Sequence, residues 1–138
     1  MISVYVAGKF QERIRLREVM EGLRKEGFEI THDWTWEDEG SVPPAELPAY
    51  LDQCAQNDLN GVLIADFVLL FGHPELKGAL IEAGFALGRR IPVLVIEAEK
   101  MSYNIFTRLF VPVTDVAAAI LWMRDHDPAL LLGYRRLP

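Results

Sequence analysis

The chain has a single cysteine, Cys54, in its 138 residues, which excludes an intrachain disulfide and a thiolate metal cluster. Cys54 falls in a helical pattern with no histidine nearby in sequence, so packing rather than catalysis is its expected role. No run approaches the roughly 18 apolar residues of a membrane span. The opening "MISVYVAGKF" lacks the charged-then-apolar layout of a signal peptide, so the expected compartment is the cytoplasm. Cationic excess is missing too. A net charge of −6 argues against a nucleic-acid polymer or an anionic membrane as partner, since both need a basic face. There is no G-x-G-x-x-G after the first strand-like run, no G-x-x-x-x-G-K-[ST] and no G-x-S-x-G, which removes the classical dinucleotide fold, the P-loop and the α/β-hydrolase elbow. His32, His73 and His126 lie on three different connections without metal-ligand spacing, so neither a metal nor a cofactor is expected.

Apolar residues, by contrast, are plentiful. At 51% hydrophobic, the chain is at the high end for a domain of this length, which points to apolar surface covered by another subunit. The length suits one domain over residues 1–138. "ISVYVAG" reads as a strand, and "QERIRLREVMEGLRKEG" as a helix with Ile14, Leu16, Val19, Met20 and Leu23 on its apolar positions. "FEITHD" follows as a second strand after Gly27 closes the helix. A polar stretch, "WTWEDEGSVPP", leads to a helix expected from Ala45 to Ile64, then a third strand at 67–71. The helix "KGALIEAGFALGRR", a strand at 91–97, a loop or short helix around "MSYNIFTRL", the apolar piece "FVPV" and a helix from Thr114 to Asp125, capped by Thr114, complete the order.

Strands alternating with helices require crossover connections and hence a parallel sheet covered on both faces. The expected fold is a flavodoxin-like, doubly wound α/β sheet of five strands in the order 2-1-3-4-5. Ligands of such sheets bind beyond the carboxyl ends of the strands, between the first and third. Tyr5 and the loop Gly8-Lys9-Phe10 lie there at the end of strand one. Glu82 is about one turn into the helix leaving strand three. Asp58 is eight residues before Asp66, about 12 Å along a helix, while strand three climbs about 13 Å, so Asp58 returns to the same rim. Asn104 follows strand four on that side.

Each of these has an ordinary structural account. Tyr5 could be a half-buried strand aromatic, Asp58 part of a helix-end cluster with Asn60-Gly61, and Asn104 a turn residue. Glu82 could face water while Ile81, Phe85 and Leu87 face the core. Asp66, at the opposite end of its strand, is assigned to structure alone. Together at one edge, two carboxylates in a partly apolar cleft suit glycosidic-bond cleavage, with one ionised nucleophile and one group supplying or relaying a proton.

The stretches "VYVAGKF", "NDLNGV" with "IAD", "KGALIEAGFALG" and "YNIFTRL", in that order and spacing, resemble the nucleoside 2-deoxyribosyltransferase family over most of the chain. The related nucleotide N-glycosidases share that family's fold and nucleophilic Glu. By position the resemblance implies that Glu82 is the nucleophile, Asp58 assists the leaving base and Tyr5 orients the nucleophile. Asn104 would reach the neighbouring subunit's site, in a homodimer or higher homo-oligomer. The implied partners are a nucleoside or nucleotide and a free nucleobase, and the implied activity is cleavage of the N-glycosidic bond through a glycosyl-Glu82 ester, with transfer of the deoxyribosyl group. Glu82 has no cation at helical spacing, which suits a nucleophile that an ion pair would blunt.

The chain departs from the family pattern in places. Where the transferases carry an Asp shortly before the nucleophile, it reads "HPELKG" with Glu75, and it ends "GYRRLP" where they supply an aromatic and a terminal carboxylate to a neighbour. Phe10 is left to stack on a base. Lys9 and Arg13, at the start of a helix, suit a 5′-phosphate and hence a monophosphate hydrolase, or else a solvated helix face. Trp34 and Trp36 line a base pocket or anchor a loop; at least one is expected in the pocket, with Asp33 and Gly78 beside the substrate. A reading from another class remains, a non-catalytic nucleotide sensor in which Glu82 only holds ribose hydroxyls.

Overall fold

A computed structural model describes residues 1–128, so the expectation placed on "GYRRLP" lies outside the described residues. Five parallel strands, β1 (Ser3–Ala7), β2 (Glu29–Ile30), β3 (Phe67–Phe71), β4 (Val93–Ile96) and β5 (Val111–Val113), form one sheet in the order β2-β1-β3-β4-β5. Helices α1 (Arg13–Lys25), α2 (Leu47–Leu63), α3 (Gly78–Gly88) and α4 (Val116–Asp125) make the crossovers. This is the expected flavodoxin-like architecture.

Strands β3 and β4 are wholly buried, as strands covered on both faces must be. Their Val, Leu, Ile and Phe side chains join Leu16, Met20 and Leu23 of α1 and Ala119 and Met123 of α4 in the core. Among the described residues, no helix is long and apolar enough to cross a membrane.

The structure corrects several boundaries. β2 is much shorter than "FEITHD". Thr31 still donates its N–H to Val4 O (3.1 Å), but its hydroxyl turns to Gly61 O (2.7 Å), and Asp33 then caps a short 3-10 turn at Trp34–Trp36, so the chain leaves the ladder at this edge. α4 is capped by Asp115, not Thr114, because Asp115 Oδ1 stands where it accepts from Ala118 N–H (2.8 Å). α2 starts two residues later than expected, with Pro48 in its first turn, where a missing N–H costs nothing.

Helix α3 also differs from the ordinary account of its faces. Its buried side is Ala79, Ala83 and Ala86, while Ile81 is exposed. Small residues let α3 lie close to the sheet, and this rotation turns Glu82 inward. Gly61 does the same for α2: a Cβ there would stand 2.8 Å from His32 Cβ and 3.0 Å from the Tyr5 ring.

Candidate active site

The carboxyl ends of β1 and β3 open into a cleft of about 430 Å³ between α2, α3 and the loops after β1 and β2. Of the expected site residues, Asp58, Glu82, Gly8, Lys9, Phe10, Trp34 and Gly78 line it. Tyr5 lies beneath, fully buried in β1, and its hydroxyl donates a hydrogen bond to Glu82 Oε2. Burial holds the Tyr5 phenol far above its ordinary range, with the Glu82 charge adding to the effect, so it stays a donor. Burial likewise pushes Glu82 up to about 7; the Tyr5 hydrogen bond pulls it down and the Asp58 charge raises it.

Asp58 reaches the opposite wall from α2. Burial, followed by a hydrogen bond and charge from Glu37, pushes its carboxyl up to about 7, while His32 pulls the other way. Two carboxyls on facing walls therefore both titrate near neutrality.

Other expected residues do not reach the cleft wall. Asp33 uses Oδ1 to accept from Thr35 N–H (3.0 Å), which is helix-cap chemistry. The Arg13 guanidinium lies over the Phe10 ring, 4.8 Å from its centroid, and is not among the lining residues. Asn104 is exposed, accepts from Phe106 N–H (2.8 Å) and borders a separate apolar hollow with Leu80, Phe106 and Leu109. Within one chain the amide thus stands apart from Glu82. Of Trp34 and Trp36, only the first lines the cleft. Trp34 is buried in the wall with Nε1–H donating to Val6 O (2.7 Å), whereas Trp36 is exposed under the Arg17 guanidinium. Asp66 is structural, accepting from Ser3 N–H (2.9 Å).

Glu37 and His32 complete the site, and neither was singled out from sequence. Glu37 follows the 3-10 turn anchored by Trp34, and lines the cleft. His32 Nε2 is 3.3 Å from Asp58 Oδ1 and 3.4 Å from Glu37 Oε2. These three side chains present donor atoms within 4.8 Å of one another, a set that could hold a divalent cation or share a proton. In "HDWTWEDEG" the acids read as a solvated loop. The one available signal was the pair of tryptophans that had to bury something.

An all-parallel sheet of this order, with carboxyls and a phenol gathered at its switch point, defines a flavodoxin-like α/β protein with a carboxylate cleft. Among solved structures, a CMP N-glycosidase of Clostridium botulinum, BcmB, aligns with a TM-score of 0.57 and 19% identity, over 88% of this chain and 98% of that one. A 2-deoxyribosyltransferase of the psychrotolerant bacterium Bacillus psychrosaccharolyticus aligns with a TM-score of 0.61 and 16% identity, over 85% and 89%. The fold is therefore shared with both. No protein-family model and no curated protein sequence matches the chain.

Proposed function

We propose that the protein cleaves the N-glycosidic bond of a deoxynucleoside and transfers the 2-deoxyribosyl group to another nucleobase. The observation that carries this reading is the Tyr5 phenol held on Glu82 across the cleft from Asp58. Glu82, ionised and oriented by Tyr5, attacks C1′ of the sugar as the C1′–N bond breaks. Asp58, protonated near neutral pH, gives its proton to the departing base. The product is a glycosyl ester on Glu82. An incoming base, delivering its own proton back to Asp58, attacks C1′ from the opposite side, the ester bond breaks, and the configuration is retained. Phe10 at the cleft wall offers a ring to the base. Asn104 of a neighbouring copy would complete the site in a homo-oligomer.

Lys9 and Lys77 favour a second reading, in which a nucleoside 5′-monophosphate is hydrolysed. Both line the cleft, beside Gly78 at the amino end of α3, where an anion is stabilised.

The test is incubation with deoxyinosine and, in parallel, with deoxyribonucleoside and ribonucleoside monophosphates, each with and without adenine or cytosine. New nucleoside formed only with added base supports transfer. Base released from the monophosphates alone supports hydrolysis, and saturable binding without turnover of any would overturn both.

A further inference from the structure

Proton transfer from Asp58 to a ring nitrogen engages one atom of a base and leaves its neighbours to other groups. The group standing next to Asp58 in the cleft wall is Glu37. Its side chain is 21% exposed, and it presents an oxygen within 4.8 Å of the Asp58 carboxyl. Two hydrogen bonds of about 2.9 Å, one to each carboxyl, therefore reach two adjacent atoms of a single base edge.

The loop fixes Glu37 at this place. Trp34 ties it to β1 through Val6 O (2.7 Å), Glu37 N–H donates to Trp34 O (3.0 Å), and the next residue, Asp38, donates its N–H to Tyr50 Oη (2.8 Å). Arg17 adds a bond to Thr35 O (2.8 Å). A carboxyl held on both sides selects by its chemistry, because it does not move aside for a mismatched group.

The wall around it brings mainly acceptors and apolar surface to a base. From α2 come Ala55, Leu59 and the Asp58 carboxyl, and the Trp34 N–H is engaged by Val6 O. Lys9 is turned to the β3–α3 loop, with Nζ donating to Glu75 O (3.0 Å). Glu37 Oε2 stands 3.4 Å from His32 Nε2, and a carboxyl with one such partner keeps acceptor sites for another.

We propose that Glu37 selects the base: its carboxyl accepts a hydrogen bond from an exocyclic amino group beside the ring nitrogen that meets Asp58, so the cleft takes 6-aminopurines and 4-aminopyrimidines in preference to their oxo counterparts. This rests on the reading of Asp58 as the acid of an N-glycosidic cleavage. Adenine carries its amino group beside N7 and cytosine beside N3, a donor next to an acceptor in each. Hypoxanthine has a carbonyl beside N7, and uracil a carbonyl beside an N–H. Either carbonyl would face the Glu37 oxygens with no proton between them. Leaving and incoming bases occupy the same place in turn, so the preference applies to both.

The experiment is internal competition of deoxyadenosine with deoxyinosine, and of deoxycytidine with deoxyuridine, for the unaltered protein, Glu37→Gln and Glu37→Ala. The ratio of kcat/KM values obtained from one tube does not depend on how much of a variant is folded, and a merely structural role would leave it in place. The amino member should win in both pairs. Glu37→Gln, whose amide turns either its oxygen or its N–H to the base, should lower the ratio about tenfold or more, and Glu37→Ala should move it the same way. Purine deoxyriboside, which has no group at C6, removes the donor from the substrate instead and should lose to deoxyadenosine on the unaltered protein. Ratios that stay within about twofold in both variants, a preference for the oxo members, or a purine deoxyriboside that competes as well as deoxyadenosine would each overturn the proposal. If no nucleoside is turned over, the catalytic reading falls, and calorimetric binding of adenine against hypoxanthine decides the recognition separately: a preference for adenine that Glu37→Gln abolishes sustains it, and equal binding or none overturns it.

Discussion

The Tyr5 hydroxyl, on the first strand, donates to the carboxylate of Glu82, 77 residues later, from inside the sheet rather than from solvent. Tyr5 is thus placed to hold Glu82 ionised. Tyr5→Phe removes the bond that lowers the Glu82 pKa, so the acid limb of the kcat/KM profile, which reports Glu82 losing its proton, should move to higher pH. Activity at pH 6 should fall about 10- to 100-fold, with far less loss at pH 8. An unmoved limb would remove the orienting role.

Glu82→Ala should abolish turnover, by on the order of 10⁴-fold or more, as the loss of a nucleophile does. Rapid quenching and mass spectrometry of the unaltered protein with substrate should find one deoxyribosyl adduct, on the peptide carrying Glu82. Full activity in the alanine variant would sink the covalent route.

For Asp58→Asn the leaving group is the diagnostic. Cleavage of a natural nucleoside should slow about 10²- to 10⁴-fold, since the base departs without its proton. A deoxyribosyl 4-nitrophenoxide, whose leaving group needs no proton, should react within a few-fold of the unaltered protein. Equal losses on both substrates would mean that Asp58 is not the acid.

Glu82 also sets a pH dependence of stability. Its folded pKa, about 7, lies above the ordinary value of 4.5, so the folded state binds the proton more tightly. That contribution is fully present below pH 4.5 and is lost as the pH rises through 7. Glu82→Gln, which has no charge to bury, should then be more stable than the unaltered protein at pH 8 by on the order of 2 to 3 kcal/mol, with the gap closing by pH 4. Denaturant melts at the two pH values check it.

Gly61→Ala sets two effects against each other. Helix propensity favours alanine by up to about 1 kcal/mol. The new Cβ, however, would meet His32 Cβ at 2.8 Å and the Tyr5 ring at 3.0 Å, and neither atom can swing away as a side-chain tip can. Overpacking of this sort costs roughly 1 to 3 kcal/mol, so a net loss of Tm and activity is expected. A raised Tm would show that α2 can slide without harm.

The fold was legible because its signals are local: β-branched runs, amphipathic spacing and closing glycines recur in strict alternation, and parallel crossovers leave few arrangements. Tyr5, Glu82 and Asp58 were legible as a group because topology sends their segments to one edge. The orientation of α3 was not, since Ile81 looks like core and only packing against the sheet selects the alanine face. Glu37 was hidden for another reason. Its burial depends on Trp34 anchoring an irregular loop to Val6, a contact 28 residues apart in sequence with no periodicity to announce it.

That indole has a further use. Trp34 lies in the cleft wall with its N–H engaged, whereas Trp36 stands in solvent under Arg17 and Trp122 is stacked on His126 with ring centroids 3.8 Å apart. Among these three, only Trp34 would be touched by a molecule entering the cleft. Fluorescence emission of the protein should therefore register occupancy directly, giving an unlabelled optical readout for substrate, product and inert analogue alike.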